Sequence, residues 1–167
     1  MGSTYARTHA YFSERAELPH PDAFFTEISR ELYALFDARL EPYPDALETL
    51  AELHARGIPV AVASSSPRER LDRTLAHVGL AFGVTVAGDE IAHGKPAPDM
   101  FLVAAERLGV APAHTVVVED SVPGVAAGKA AGMPTLGICR VPGTEATLAA
   151  ADRVVDRLGV ADILALL

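Results

Sequence analysis

From Ala46 to the C-terminus the sequence alternates helical stretches with short, almost wholly apolar runs. The apolar runs predict strands near 58–63, 84–87, 115–118, 134–138 and 153–155. Helices are predicted near 45–56, 67–78, 98–108, 122–131, 144–150 and 159–166. Short runs without polar alternation belong to strands covered on both faces. Strands alternating with helices at this spacing build βαβ units around a parallel sheet. Gly57, Gly79, Gly109 and Gly132 each fall where a helix is expected to end, as C-terminal cap glycines do. The fold class is therefore α/β, a Rossmann-like parallel sheet flanked by helices. In such open sheets, ligands bind just beyond the carboxyl ends of the strands, and chemistry is to be sought there.

Three signals lie at such ends. Val116-Val117-Val118 stops at two adjacent carboxylates, Glu119-Asp120, followed by Ser121. Two neighbouring acids repel each other unless a cation sits among them, and hard oxygen donors suit Mg²⁺. The same letters also read as a strand followed by an Asp helix cap. The run ending at Ala63 is followed by Ser64-Ser65-Ser66, and Pro67-Arg68 then opens a helix. Hydroxyls and free N–H groups at a helix N-terminus form an anion site, or simply a Ser cap with Pro at the first helical position. Gly94-Lys95-Pro96-Ala97-Pro98-Asp99 is the third signal. Its prolines hold a lysine in an extended segment, where it can neutralise a phosphate instead of waving in solvent.

Composition narrows the function. The chain has 167 residues, half of them hydrophobic, enough to bury a core in one compact domain. Its net charge of −8 and pI near 5.1 argue against a nucleic-acid surface. An acidic protein must hold an anion through local groups and a metal, not through overall steering. A single cysteine, Cys139, excludes an internal disulfide and suits a reducing cytoplasm; it reads as a strand-end packing residue. No apolar run is long enough to span a membrane, and Met1-Gly2-Ser3 does not begin a signal peptide. His9, His20, His54, His77, His93 and His114 show no metal-ligand spacing and read as surface residues.

Ahead of the alternating region, Tyr5 to about Leu40 reads as helix–turn–helix. Phe24, Ile28, Leu32, Leu35 and Phe36 make an apolar stripe that needs a partner surface. Glu41-Pro42-Tyr43-Pro44-Asp45 is the natural hinge.

Taken in order, Ser64, Lys95 and Glu119-Asp120 resemble the second, third and fourth motifs of the haloacid dehalogenase superfamily of phosphatases and phosphomutases. The text around them, Gly88-Asp89-Glu90 and Asp120-Ser121-Val122-Pro123-Gly124-Val125, is similar to the β-phosphoglucomutase-like branch. The resemblance implies residues 1–42 as the remnant of a helical cap domain and 43–167 as the α/β core. It implies a Mg²⁺-dependent phosphatase or phosphomutase acting on a small phosphorylated metabolite such as a sugar phosphate. Asp120, with Glu119 direct or through water, would hold Mg²⁺. Ser64 and the Ser65 N–H would hold phosphate oxygens, Lys95 would pair with the phosphate and the acids, and Ser66 and Arg68 would lie toward the leaving group. Family members begin with a strand ending in Asp-x-Asp, which carries the nucleophile, and no Asp-x-Asp occurs in this sequence.

The chain is accordingly expected to be a clipped form that starts inside the cap and binds Mg²⁺ weakly. The alternative is a catalytically inactive relative serving as a binding or interaction module; a dehalogenase, needing no Mg²⁺, fits the acid pair poorly. In the family's sheet the first-motif strand lies between the strands ending at Ala63 and Val118. Without it those two strands must pair directly, admit a second chain, or drive self-association, and self-association is the expectation.

Overall fold

The computed structural model describes residues 5–167, so the part of the N-terminal reading that falls on residues 1–4 lies outside the described residues. Two helices come first, α1 (Tyr5–Ser13) and α2 (Pro21–Arg39), packed on one another. His9 joins them. Its ring meets Phe24 edge-on at 5.3 Å, and its Nε2 lies 2.9 Å from the carbonyl oxygen of Pro19. That corrects the reading of all six histidines as surface residues, because His9 is half-buried between the helices. Part of the α2 stripe finds no cover: Ile28 is 39% and Leu35 54% exposed.

After the proline-bounded hinge come α3 (Pro44–Ala55), β1 (Ala61–Ala63), α4 (Arg68–His77), β2 (Val84–Val86) and α5 (Asp99–Leu108). Then follow β3 (Val117–Glu119), α6 (Val122–Ala130), β4 (Thr135–Ile138), β5 (Arg153–Val155) and α7 (Val160–Leu164). The expected elements are present in the expected order. Gly57, Gly79, Gly109 and Gly132 all have φ between +67° and +70°, just past α3, α4, α5 and α6. Two elements are shorter than their letters suggest. The run 58–63 is strand only from Ala61, since Pro59 has no N–H to give a ladder. The stretch 144–150 forms one 3-10 turn, Glu145–Leu148.

All pairings are parallel, but they fall into two groups. β1 pairs with β2, in register Ala63 to Val86. β3 pairs with β4 and β4 with β5, in register Glu119 to Gly137 and Ile138 to Val155. No ladder joins β1 to β3 among the described residues, so direct closure between them does not occur.

The side chains show the layers. Val117 packs with Phe101 and Ala105 of α5 and Ala127 of α6. Its neighbour Val116 packs instead with Leu53 of α3 and Val160 and Ile163 of α7. Successive side chains of a strand point to opposite faces. So α5 and α6 cover one face of the sheet layer, and α3 and α7 cover the other. Both groups of strands end at the same rim, which puts the residues after β1 and β3 side by side.

Candidate functional site

A cavity of about 460 Å³ opens at that rim, and Ser64, Ser65, Lys95, Glu119 and Asp120 line it together. The three separate sequence signals therefore meet. Tyr43 from the hinge, Ser121 and Arg140 also line it; the sequence reading names the first two without a role in the site and does not name Arg140. Arg140 could have been found by the strand-end rule that singled out Glu119, since it lies two residues beyond β4.

Lys95 is the centre of the arrangement. Its ammonium pairs with Glu119, and both side chains are about nine-tenths buried. The ring of Phe101 lies under the ammonium at 4.9 Å, a cation–π contact. The second oxygen of Glu119 accepts the Ser121 hydroxyl at 2.9 Å. Ser121 in turn caps α6, accepting the Gly124 N–H at 3.1 Å. The helix cap is therefore Ser121, and not the Asp120 carboxylate that a plain strand-and-cap reading would use. With both its oxygens engaged, Glu119 fixes the lysine; Asp120 stands exposed at the mouth.

Packing enforces this geometry. A Cβ on Gly124 would come within 1.9 Å of Glu119 Oε2, so only glycine lets the α6 backbone lie against the carboxylate. We predict that Gly124→Ala displaces Glu119 and costs about 1–3 kcal/mol, the usual penalty of overpacking. Urea unfolding measures it, and an unchanged midpoint would show that the carboxylate shifts freely.

On the β1 side, Ser64 is half-buried and its Oγ accepts the Ser66 N–H at 3.2 Å. That leaves the hydroxyl proton free to point into the cavity. The loop is held from behind by Gly88, whose N–H donates to Ser66 O at 2.8 Å. Here too a side chain is excluded: a Cβ on Gly88 would sit 2.3 Å from Ser65 O.

Two expected residues are not brought to the cavity. Ser66 serves the loop's own backbone. Arg68 turns away: its guanidinium bonds Glu90, Asp72 at 2.9 Å and Thr85 Oγ1 at 2.8 Å. Arg107 reaches the same Glu90 at 2.8 Å, and these two cations hold the Glu90 carboxyl below its ordinary range. Arg68 is thus a strut between α4 and the loop after β2, which corrects its placement beside a leaving group. The Arg68 N–H, expected to face an anion, donates instead to Asp89 at 2.9 Å.

Cys139 behaves as expected, buried beside Val125 and Leu148 at the end of β4. Among the described residues no helix is long and apolar enough to cross a membrane. Nor do three or more His, Cys, Asp or Glu side chains gather as a metal site among them. Hard oxygen donors suit Mg²⁺, and Asp120 fits that role; the donor set around it is short.

A family profile described as haloacid dehalogenase-like hydrolase matches residues 5–132. The chain belongs to this family. It is 38% identical over 164 residues to the bifunctional riboflavin kinase/FMN phosphatase of Arabidopsis thaliana, covering 95% of this chain and 42% of that protein. It is 37% identical over 120 residues to the fructose-1-phosphate phosphatase of Escherichia coli, covering 71% and 63% respectively. Among solved structures, a β-phosphoglucomutase-type protein of Thermotoga maritima superposes with a TM-score of 0.84 at 29% identity. That match takes in 99% of this chain and 79% of the other. The chain thus spans less than two thirds of the length of these curated relatives, which are phosphatases of small phosphorylated substrates.

Proposed function

We propose that this chain carries the phosphate-binding part of a Mg²⁺-dependent phosphatase or phosphomutase site for a small phosphorylated metabolite. The observation that carries the reading is the buried Lys95–Glu119 pair, held at one rim with Ser64 and Asp120. An ammonium kept out of bulk water by a single carboxylate can spread its three N–H donors between that carboxylate and a phosphate. Ser64 Oγ–H and the Ser65 N–H supply two more donors from the facing strand. Phosphate oxygens would thus be gripped from β1 and neutralised from Lys95.

Bound Mg²⁺ would supply further charge neutralisation, with Asp120 as its ligand and water filling the remaining positions. Since the ion gives up water reluctantly and few donors are offered, its binding is expected to be weak. The residues before the hinge, including α1 and α2, serve in this reading as part of a cap over the rim. A cytoplasmic setting accords with the single, buried cysteine.

Turnover is a separate matter. Phosphoryl transfer through a covalent intermediate needs an activated nucleophile. The cavity side chains offer donors, a lysine and the Asp120 carboxylate, which this reading gives to the metal, while Glu119 is committed to Lys95 and Ser121. Among the described residues, Ser64 Oγ accepts the Ser66 N–H and no basic side chain is hydrogen-bonded to it. We therefore predict that this chain binds inorganic phosphate but leaves p-nitrophenyl phosphate unhydrolysed, with or without Mg²⁺. Calorimetric titration with phosphate and a colorimetric assay check the two halves. Turnover that disappears in Asp120→Ala would overturn the silence. Phosphate affinity unchanged in Lys95→Ala would overturn the site.

A further inference from the structure

Lys95 and Arg140 both line the rim cavity, and the phosphate reading uses only the first of these cations. Lys95 is held by Glu119, which stands opposite Gly137 in the ladder. Arg140 lies three residues past Gly137, about 10 Å along an extended chain. The two charges therefore mark separate places in the cavity wall.

The Arg140 guanidinium is fixed on one face and at one end. The centre of the Tyr43 ring lies 4.1 Å from it, so its hydrogen bonds are made in its own plane. Nη1 and Nη2 donate end-on to the two oxygens of Asp45, at 2.7 and 3.1 Å. A guanidinium carries its N–H donors in a rigid fork, and its side edge, Nε–H with one further Nη hydrogen, is a second two-point face. That edge has no partner among the described residues. It is not sealed either, since the Arg140 side chain is 18% exposed and its Nε is not a buried atom wanting a bond. Arg68 makes the contrast. It spends its donors on Glu90, Asp72 and Thr85 and turns from the cavity. Arg140 stays at the cavity with an edge unused.

We propose that Arg140 is a specificity-determining residue, whose Nε edge takes a second acidic group carried by the leaving portion of a phosphate ester. The inference rests on the phosphate reading of Lys95 and Ser64 and deepens it by naming a substrate class: phosphate esters of acidic alcohols over those of neutral ones. The edge offers donors alone, so its partner must accept, and an ionised carboxylate or phosphate accepts at each free oxygen. Parallel N–H···O⁻ bonds from a guanidinium to such an anion are roughly twice as strong as bonds between neutral groups. Asp45 and Tyr43 hold the fork in place before any ligand arrives, so little side-chain freedom is lost on binding. Asp120, exposed at the mouth, is the opposing charge, and Mg²⁺ bound there would offset it.

The chain is titrated by calorimetry, with Mg²⁺ throughout, against inorganic phosphate, 3-phosphonopropionamide, 3-phosphonopropionate and ethane-1,2-bisphosphonate. At least one of the two acidic probes is expected to bind about tenfold more tightly than the amide, the scale of a charge-assisted hydrogen bond. Which acid gains more tells a carboxylate from a second phosphate. In Arg140→Gln the preference for acid over amide is expected to disappear. In Asp45→Asn, which removes the competing carboxylate and keeps the guanidinium, it is expected to rise about threefold, the scale of one partly exposed charge. The opposite signs separate ligand contact from a structural role, because a loosened cavity wall would weaken the preference in both variants. Should Arg140→Gln fail to fold, the neutral pair Asp45→Asn with Arg140→Gln replaces it, with the same loss expected. Equal binding of acids and amide, a preference that survives without Arg140, or a preference lowered in Asp45→Asn would each overturn the proposal, while binding of inorganic phosphate would leave the reading of Lys95 standing. If inorganic phosphate itself does not bind, the phosphate reading falls and this inference falls with it.

Discussion

Replacing Lys95 by alanine is expected to lower stability by about 3 kcal/mol and to abolish measurable phosphate binding. The stability loss comes from what is left behind. Lys95 and Glu119 are 10% and 8% exposed. Removing one partner of a buried ion pair leaves the other charge without compensation, which costs about 3–5 kcal/mol. The lower end applies here, because Ser121 still donates to Glu119 and the rim cavity admits water. For a chain of this size, a loss of that order lowers the melting temperature by about 6–12 °C.

The double variant Lys95→Met with Glu119→Gln is expected to recover most of this stability while remaining unable to bind phosphate. Replacing both members of a buried pair by neutral groups of similar size is often neutral or stabilising. Thermal unfolding of these two variants beside the parent chain makes the comparison. A double variant as unstable as Lys95→Ala would mean that the charged pair itself holds this part of the fold together, since methionine keeps the side-chain stem and no carboxylate is left stranded.

The legible parts of the molecule were those set by local chemistry. Strand runs, helix-ending glycines and the carboxylates at the end of β3 all carry their signal within a few letters. That sufficed to order the elements and to bring Ser64, Lys95 and Glu119-Asp120 to one rim, because the sheet's parallel topology does the rest. Arg68 was misplaced for the opposite reason. Its partners Glu90 and Thr85 lie 22 and 17 residues away, and nothing local to α4 marks them. Pro59 was a readable warning that the first strand would be short, and the unpaired edge beside it removed any gain from extending the strand. His9 was hidden in a similar way, since a histidine between two helices is set by how they cross. The Asp45–Arg140 pair is the extreme case, with 95 residues between its members.

That pair carries the other large expected effect. Asp45 stands in the first turn of α3, only 6% exposed, and takes the Arg140 guanidinium in a two-point grip at 2.7 and 3.1 Å. It also accepts the Leu158 N–H at 2.7 Å, so one carboxylate ties the hinge, the loop after β4 and the entry to α7. Arg140 is further stacked on Tyr43, 4.1 Å from the ring centre, which sets the wall of the cavity. The Arg140 bonds lead in holding the Asp45 carboxyl at about 2, below its ordinary 3.8, against the opposing effect of burial. A folded-state value below the unfolded one means that this stabilisation is complete above pH 3.8 and is lost as pH falls through 3.8 toward 2. Asp45→Ala is expected to cost about 3–5 kcal/mol at neutral pH, since it strands a largely buried guanidinium. Asp45→Asn should keep the Leu158 bond while losing the charge, and its unfolding free energy should vary less between pH 5 and 2 than that of the parent chain. Denaturant unfolding across that range makes the comparison. If the two acid limbs run parallel, the pH dependence resides in other carboxylates, and Asp45 acts through hydrogen bonding alone.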